Sequence, residues 1–169
     1  MVLDGHVQGI FSIAFSPNGY QIATGAGDDT IRIWDMRSLR ALYTIPAHRS
    51  NVSDVRFFRG TEPPNFAQQD VKMVDASKGT PDADSDDIRP DASSDREDEQ
   101  EARYRSGLYF ASAGYDGLVK LWSADDWQLL RTLSTDAGKV MSVDLSTNGK
   151  LIASGTYNRN YQLYTPESV

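Results

Sequence analysis

The stretch LDGHVQGIFSIAFSPNGYQIATGAGDDTIRIWD, from Leu3 to Asp35, alternates apolar and polar residues between short groups of turn-forming residues. Ile13 and Phe15 are two residues apart, as are Ile31 and Ile33, and this is the period of a β-strand. The stretch also contains a histidine, a threonine, an aspartate and a tryptophan. Hydrolases build charge-relay sites from such polar residues, so the set is either catalytic or structural.

These four residue types recur at fixed offsets along the chain. The first set, with offsets of 18, 22 and 28 residues from its first member, is His6, Thr24, Asp28 and Trp34. A second set in the same order, with 46 additional residues after its histidine, is His48, Ser112, Asp116 and Trp122. A third set with the original offsets is Asp136, Ser154, Asn158 and Tyr164. The chain is therefore predicted to contain three units of 42 residues, with one insertion in the second.

Apolar pairs at matching positions predict the same strands in each unit. The pairs of the first strand are Ile13 and Phe15, Val55 and Phe57, and Val143 and Leu145. We predict an all-β fold of three four-stranded antiparallel sheets, the last of which is incomplete. Asn18-Gly19 and Asn148-Gly149 predict tight hairpin turns in which both central residues take positive φ.

The repeat offsets define the predicted domain boundaries. The first repeat covers residues 1–48, and the second covers 49–60 and 107–136 around an insertion at 61–106. The third repeat, at 137–169, is degenerate and lacks a fourth strand. The chain is also predicted to begin within the fourth strand of a preceding sheet, which indicates a C-terminal fragment of a larger protein or a truncated gene model. Such a fragment is expected to expose apolar faces and to associate.

The insertion carries the net charge of the chain. It contains 13 of the 24 acidic and 6 of the 17 basic side chains, and the net charge is −7. Low hydrophobicity and high charge predict a disordered acidic segment. This composition is typical of a solvated loop. The alternative is a regulated tether, in which Ser85 and Ser94, which precede acidic residues, are candidate phosphorylation sites.

Composition excludes several classes of protein. The chain has no cysteine, and its first residues lack a basic segment followed by an apolar run, which argues against a secreted, disulfide-linked domain. No apolar run is long enough to span a membrane. With two histidines 42 residues apart and no cysteine, the sequence predicts no metal site and no cofactor.

Two pairs of residues mark the limits of the repeats. Gly5-His6 stands at the start of the first repeat and Trp34-Asp35 at its end. In the second repeat, Ala47-His48 and Trp122-Ser123 hold the same places. In these pairs and in its length, the unit resembles the WD40 repeat, which opens with Gly-His and closes with Trp-Asp. The resemblance implies that each unit is one blade of a β-propeller.

In such a blade, the loop carrying His6 and the turn carrying Asp28 lie at the same end of the sheet. The four side chains of each set can then be linked by hydrogen bonds that occupy all their donors and acceptors, and no nucleophile is left to face a substrate. We therefore interpret the sets as structural tetrads and predict that the protein is not an enzyme and has no small-molecule substrate.

Other segments resemble one particular WD40 family. YTIPAH, DDWQLLRTL and GKVMSVDLSTNGKLIASGTYNRNYQLY are similar to the last blades of the WD40 subunits of the U4/U6 small nuclear ribonucleoprotein, the pre-mRNA-processing factor four family. That resemblance implies a nuclear scaffold in the U4/U6 and U4/U6.U5 tri-snRNP particles, whose partners are other U4/U6 proteins. The alternative is a generic WD40 adaptor of the chromatin or ubiquitin-ligase type, with no splicing role.

Partner contacts are expected at the end of the blades that bears the tetrad loops. The candidate residues there are Arg49, Tyr115, Lys139, Tyr157 and Arg159. Tyrosine and arginine are common anchors at interfaces, although single solvated side chains are an equally good explanation. Because the predicted propeller is neutral and lacks a basic stripe, association with U4/U6 RNA is expected to occur indirectly, through protein partners.

Overall fold

The computed structural model of the protein describes residues 2–60, 109–136 and 138–165. Within these ranges the chain forms antiparallel sheets and no helix, which confirms the predicted all-β class. No helix that could cross a membrane is found in this part of the chain. The predicted insertion at 61–106, with Ser85 and Ser94, lies outside the described residues.

The strands form three sheets in chain order. The first sheet contains β1 (Ile10–Phe15), β2 (Gln21–Ala26), β3 (Thr30–Asp35) and β4 (Arg40–Pro46). The second contains β5 (Val52–Phe57), β6 (Tyr109–Gly114), β7 (Leu118–Ser123) and β8 (Leu129–Ser134). The third contains β9 (Val140–Leu145), β10 (Ile152–Thr156) and β11 (Tyr161–Tyr164). Sheets of four, four and three strands confirm the predicted architecture.

The second and third sheets each pack their first strand against the preceding sheet. Val55 and Phe57 of β5 are 0% and 5% exposed, and they lie in one apolar cluster with Ile31 and Ile33 of β3. In the same way, Val143 of β9 lies in a cluster with Val119 and Leu121 of β7. The period-two alternation of these strands is therefore explained by junctions between sheets, since alternate side chains of a strand point to opposite faces.

A buried carboxylate joins the three first strands. Asp54 of β5 accepts hydrogen bonds from Ser12 Oγ of β1 at 2.8 Å and from Ser142 Oγ of β9 at 2.9 Å. The Val143 amide donates to the same carboxylate at 3.2 Å, and Arg56 Nε lies 3.5 Å from it. Because a buried charge is costly unless it is hydrogen-bonded, these contacts fix the register between neighbouring sheets.

The Asn-Gly turns differ from the prediction. Gly19 and Gly149 have positive φ values of 74° and 65°, but neither Asn18 nor Asn148 does. Instead, each asparagine Oδ1 accepts a hydrogen bond from the amide two residues later, that of Tyr20 or Lys150. The prediction of a two-residue turn with two positive φ angles was therefore wrong. The asparagine side chain stabilises a longer loop instead.

At the other end of the sheets, the turn between the second and third strands requires positive φ in every repeat. The equivalent residues are Asp29, Gly117 and Arg159, with φ values of 65°, 82° and 67°. Only glycine adopts this conformation without a steric cost. The first and third sheets therefore hold a non-glycine residue, Asp29 or Arg159, in the left-handed conformation where the second has glycine.

Gly25 provides a test of how tightly the first two sheets pack. A Cβ atom on Gly25 would lie 2.7 Å from Val52 Cγ1 and 3.0 Å from Val55 Cγ2. We expect Gly25→Ala to lower the free energy of unfolding by about 1–3 kcal/mol, because it overpacks this junction. Urea unfolding followed by tryptophan fluorescence would measure the change.

Gly155 is the matched control, because it holds the equivalent position in the third sheet and a Cβ there would meet no atom within 4 Å. Gly155→Ala is expected to leave stability unchanged or slightly increased. Equal destabilisation by the two substitutions would contradict the proposed role of the junction.

Candidate functional site

The first predicted tetrad forms a continuous hydrogen-bonded relay. Trp34 Nε1 donates to Thr24 Oγ1 at 2.8 Å, and Thr24 Oγ1 lies 2.7 Å from His6 Nε2. His6 Nδ1 lies 2.9 Å from Asp28 Oδ2. Thr30 Oγ1 also donates to Asp28, at 2.7 Å, and this contact was not predicted. The relay connects the loop before β1 to β2, to the following turn and to β3.

The second tetrad has the same geometry across the insertion. Trp122 Nε1 donates to Ser112 Oγ at 2.9 Å, and Ser112 Oγ lies 2.8 Å from His48 Nε2. His48 Nδ1 completes the relay at 2.9 Å from Asp116 Oδ1. His48 and Ser112 are buried. The structure thus brings together residues 64 to 68 positions apart in the chain.

Electrostatics favour one arrangement of protons in these relays. Burial lowers the pKa of His48, which keeps its imidazole neutral near pH 7. A neutral ring can accept from Ser112 at Nε2 and donate from Nδ1 to Asp116. At Asp28, burial opposes ionisation, but hydrogen bonds from Thr30, His6 and the Val7 amide hold the pKa at about 2. At Asp116, burial likewise opposes ionisation, but the Arg49 amide and His48 lower the pKa, so both aspartates are carboxylate acceptors.

The third set does not form this relay. Asp136, which replaces histidine, is exposed, and the buried Ser154 Oγ has no hydrogen-bond partner. The Tyr164 hydroxyl donates instead to Gln162 Oε1 at 2.8 Å. Burial raises the pKa of Tyr164. The predicted tetrad role of Ser154 is corrected accordingly.

The two completed relays leave none of their hydroxyls or imidazole nitrogens free for catalysis. Each serine or threonine hydroxyl is bonded to both an indole and an imidazole, and each histidine uses both ring nitrogens within its set. A nucleophile must instead have one face open to substrate and a base free to accept its proton. The geometry therefore serves to join strands.

A surface at the tetrad end of the sheets includes Phe11, Tyr115 and Lys139, one from each repeat, and we call it the tetrad face. Phe11, 54% exposed at the start of β1, stacks on Tyr115 with ring centroids 6.4 Å apart. Lys139 Nζ lies 5.2 Å from the centroid of the Tyr115 ring. This is an aromatic pair with a cation over one ring, the geometry of a cation–π contact.

Two other predicted contact residues are tied by their backbone amides to residues of or beside this cluster, Arg49 to Asp116 and Tyr157 to Lys139. Arg49, Tyr157 and Arg159 are exposed, and Tyr157 has 71% of its surface accessible. Tyr115 differs from the prediction, because it is half-buried between Phe11 and Lys139. Phe11 was not predicted as a contact, although its position beside Ser12, where β1 bulges, distinguishes it from the inward-facing residues of that strand.

No metal or cofactor site is evident in the described ranges. No group of three or more histidine, aspartate or glutamate side chains is placed there to hold a metal ion. A cavity of about 370 Å³ opens between the first strands at the opposite end, and Phe15, Arg56 and Asp144 are among its lining residues. Ile13 and Phe15 form one of its walls, and both side chains are exposed and apolar, so this wall offers no polar group to a ligand.

Asp54 is the main structural residue that sequence reasoning missed. A usable signal was present, because Ser12, Asp54 and Ser142 each lie six residues after the first member of a set. The shared position indicated equivalence, but it did not show that the three side chains meet across sheet boundaries.

Comparison with known proteins supports the repeat assignment. The family model described as "WD domain, G-beta repeat" matches residues 1–35, 104–123 and 127–164, which together are more than half of the chain. The matched ranges include most of each described sheet.

Several known proteins are similar in sequence to all or part of this chain. Pre-mRNA-processing factor 19 of Oryza sativa subsp. japonica is 28% identical over 95% of this chain and 23% of its own length. The Notchless protein homolog of Arabidopsis thaliana is 42% identical over 24% of this chain and 8% of its own. U4/U6 small nuclear ribonucleoprotein PRP4 of Saccharomyces cerevisiae is 33% identical over 34% of this chain and 12% of its own. The chain thus spans less than a quarter of each relative.

The second relay can be tested by removing its central hydroxyl. Ser112→Ala leaves His48 Nε2 and Trp122 Nε1 buried without partners, and we expect a loss of about 2–5 kcal/mol in the free energy of unfolding. Ser154→Ala is the matched control, because the Ser154 hydroxyl has no hydrogen bond to lose. Chemical unfolding of both variants would measure the difference, and equal losses would refute the relay's contribution.

The third sheet is expected to be the least stable of the three. It lacks the relay, and within the described residues it has three strands where the other sheets have four. Native-state hydrogen exchange should show faster exchange for amides near Ser154 than for those near Thr24. Better protection near Ser154 would contradict this expectation.

Proposed function

The chain belongs to the WD40 repeat family, and we propose that it acts as a nuclear protein-binding scaffold in the U4/U6 and U4/U6.U5 tri-snRNP particles of pre-mRNA splicing. WD40 domains mediate protein–protein interactions. The finer assignment is supported by relatives whose names place them in pre-mRNA processing and in the U4/U6 particle. It is also supported by the YTIPAH and GKVM segments.

The tetrad face is the observation that carries the binding role. Phe11 of β1, Tyr115 of the turn between β6 and β7, and Lys139 of the loop before β9 meet in one cluster. Aromatic and cationic side chains that are held in place before binding are favourable interface anchors, because little conformational freedom is lost when a partner docks. We propose that protein subunits of the particle contact this cluster together with Arg49, Tyr157 and Arg159.

We propose that the RNA of the particle is reached through these partners. Outside the insertion the acidic and basic side chains are equal in number, 11 of each, so no excess positive charge attracts phosphates. The role proposed is non-catalytic, in keeping with two relays whose hydroxyls and imidazoles are fully engaged.

A generic WD40 adaptor is the second candidate. It is favoured by the Notchless protein homolog, whose name carries no splicing term and which is 42% identical over 40 residues, whereas PRP4 is 33% identical over 58. An adaptor of that kind would use the same tetrad face and would not associate with U4 or U6 RNA.

An affinity-tagged full-length chain, expressed at its native level in its own cells, separates these candidates. Purification followed by RNA sequencing is expected to enrich U4 and U6 RNA. The double variant Tyr115→Ala, Lys139→Glu should lower their recovery at least about tenfold, because it removes the anchor of the tetrad face. Tyr43→Ala is the matched control, since Tyr43 is 47% exposed on the outer strand β4.

The outcomes test the two parts of the proposal separately. Absence of U4 and U6 RNA from well-recovered, intact protein would reject the splicing role and favour the generic adaptor. Undiminished recovery by the double variant would retain the splicing role but reject the tetrad face as its contact. Circular dichroism would verify that the variants fold as the wild type does.

A further inference from the structure

The first strand of each sheet contains a bulge near its tetrad end. The bulged residues, each five positions after the first member of its set, are Phe11 in β1, Ser53 in β5 and Met141 in β9. A bulge turns one side chain out of the regular alternation of the strand. The three positions are therefore equivalent, but they hold a phenyl ring, a hydroxyl group and a thioether.

A second equivalent position lies in the turn between the second and third strands. It holds Gly27 in the first repeat, Tyr115 in the second and Tyr157 in the third. In each repeat, the amide of this residue donates a hydrogen bond to a carbonyl in the loop before the first strand of the same sheet. The two tyrosines are thus attached to the backbone in the same way, and they differ in what surrounds their rings.

The junction between the first and second sheets shows how one of these rings is covered. Phe11 of the first sheet stacks on Tyr115 of the second, with ring centroids 6.4 Å apart and an interplanar angle of 30°. Tyr115 is consequently half-buried. A bulged aromatic residue of one sheet therefore covers the turn tyrosine of the next.

At the junction between the second and third sheets, a serine takes the place of the phenylalanine. Ser53 Oγ donates a hydrogen bond to the Val140 carbonyl of β9 at 2.7 Å. The Tyr157 amide donates to the carbonyl of Lys139, the residue before Val140, at 2.9 Å. Ser53 and Tyr157 thus lie against adjoining residues, and Tyr157 is 71% exposed because the serine supplies no ring. We call the space between them the second-junction notch.

The charge at the tetrad end also changes from one sheet to the next. The turn between the second and third strands contains Asp28-Asp29 in the first sheet, Asp116-Gly117 in the second and Asn158-Arg159 in the third. Their formal charges are therefore −2, −1 and +1. Lys139 adds a second positive charge at this end of the third sheet, where Asp136 is the one acidic residue among those that the structure describes.

We propose that the second-junction notch receives an aromatic side chain of the partner protein, with an acidic residue next to it in the partner's sequence. The partner's ring lies against Tyr157 as Phe11 lies against Tyr115, and its carboxylate pairs with Lys139 or Arg159. The notch adjoins Lys139 of the tetrad face, so this inference rests on the binding role proposed for that face.

A nucleobase also stacks on tyrosine, but two observations favour a protein side chain. In the equivalent place at the first junction, the molecule itself uses a phenylalanine, Phe11. The tetrad end of the first sheet carries Asp28 and Asp29, which repel the phosphates of an RNA strand that extends across the face.

NMR titration of the isotope-labelled full-length chain with three capped tripeptides tests the inference. Asp-Phe-Asp should bind at least about tenfold more tightly than Asp-Ala-Asp, because the ring is buried in the notch. It should also bind more tightly than Lys-Phe-Lys, since the positive charges near the notch repel the lysines. The largest amide shifts are expected at Ser53, Val140 and Tyr157.

Substitutions of the serine give a matched pair. Ser53→Phe fills the notch with a ring of the chain itself and should weaken binding of Asp-Phe-Asp at least about tenfold. Ser53→Ala removes the same hydroxyl group but leaves the notch open, so the affinity should not change. Circular dichroism would establish that both variants fold as the wild type does.

Substitutions of the tyrosine test the other wall of the notch without altering a strand. Tyr157→Ala should weaken binding of Asp-Phe-Asp at least about tenfold, because the stacking surface is lost. Tyr157→Phe keeps the ring and should bind the tripeptide as the wild type does.

Several results would overturn the inference. These are equal affinities for Asp-Phe-Asp and Asp-Ala-Asp, undiminished binding by folded Ser53→Phe or by Tyr157→Ala, and equal losses in Ser53→Phe and Ser53→Ala. Tighter binding of a tetrauridine oligonucleotide than of Asp-Phe-Asp would assign the notch to RNA and overturn it as well. No splicing RNA enters the titration, so failure of the splicing role would leave these affinities unchanged, and a failed titration would leave the recovery of U4 and U6 RNA unchanged.

Discussion

The junction between neighbouring sheets is the constraint on which the rest of this structure depends. A four-stranded antiparallel sheet of this length has two faces, and a single sheet cannot bury both. Val55 and Phe57 bury one face of the second sheet against the first, while Val119 and Leu121 bury the other face against the third. Burial of each such side chain contributes roughly 1.5–3 kcal/mol, so most of the apolar stabilisation arises between sheets.

Polar contacts fix the geometry that apolar packing leaves adjustable. Apolar side chains tolerate small sliding movements, whereas a buried carboxylate tolerates almost none, because each lost hydrogen bond exposes it to the cost of desolvation. Asp54 is hydrogen-bonded to Ser12 of the first sheet and to Ser142 of the third. These bonds fix the positions of the three sheets relative to one another along their strands. The relays centred on Thr24 and Ser112 do the same within a sheet, since each joins a loop, two strands and a turn.

Most of the fold could be predicted from the sequence, because it is encoded by local period and by repeated spacing. The strand pairs, the place of the insertion between β5 and β6, and the members of the first two relays all follow from these signals. What could not be predicted depends on distances between sheets or on backbone angles. The Asp54 bridge and the partial burial of Tyr115 belong to the first class, and the turn at Asn18 belongs to the second.

The relays also explain how a structural network can support a binding surface. Asp116 accepts a hydrogen bond from the backbone amide of Arg49 at 3.0 Å, and Asp28 accepts one from the amide of Val7 at the same distance. The Tyr115 amide is bonded in turn to the Asn51 carbonyl. The backbone beneath the tetrad face is therefore fixed while its side chains face solvent, which lowers the ordering cost of docking a partner. In the third sheet, where no relay forms, Tyr157 is anchored through its amide to the Lys139 carbonyl. The first two sheets thus supply the rigid part of the surface, and the third supplies its more adaptable edge.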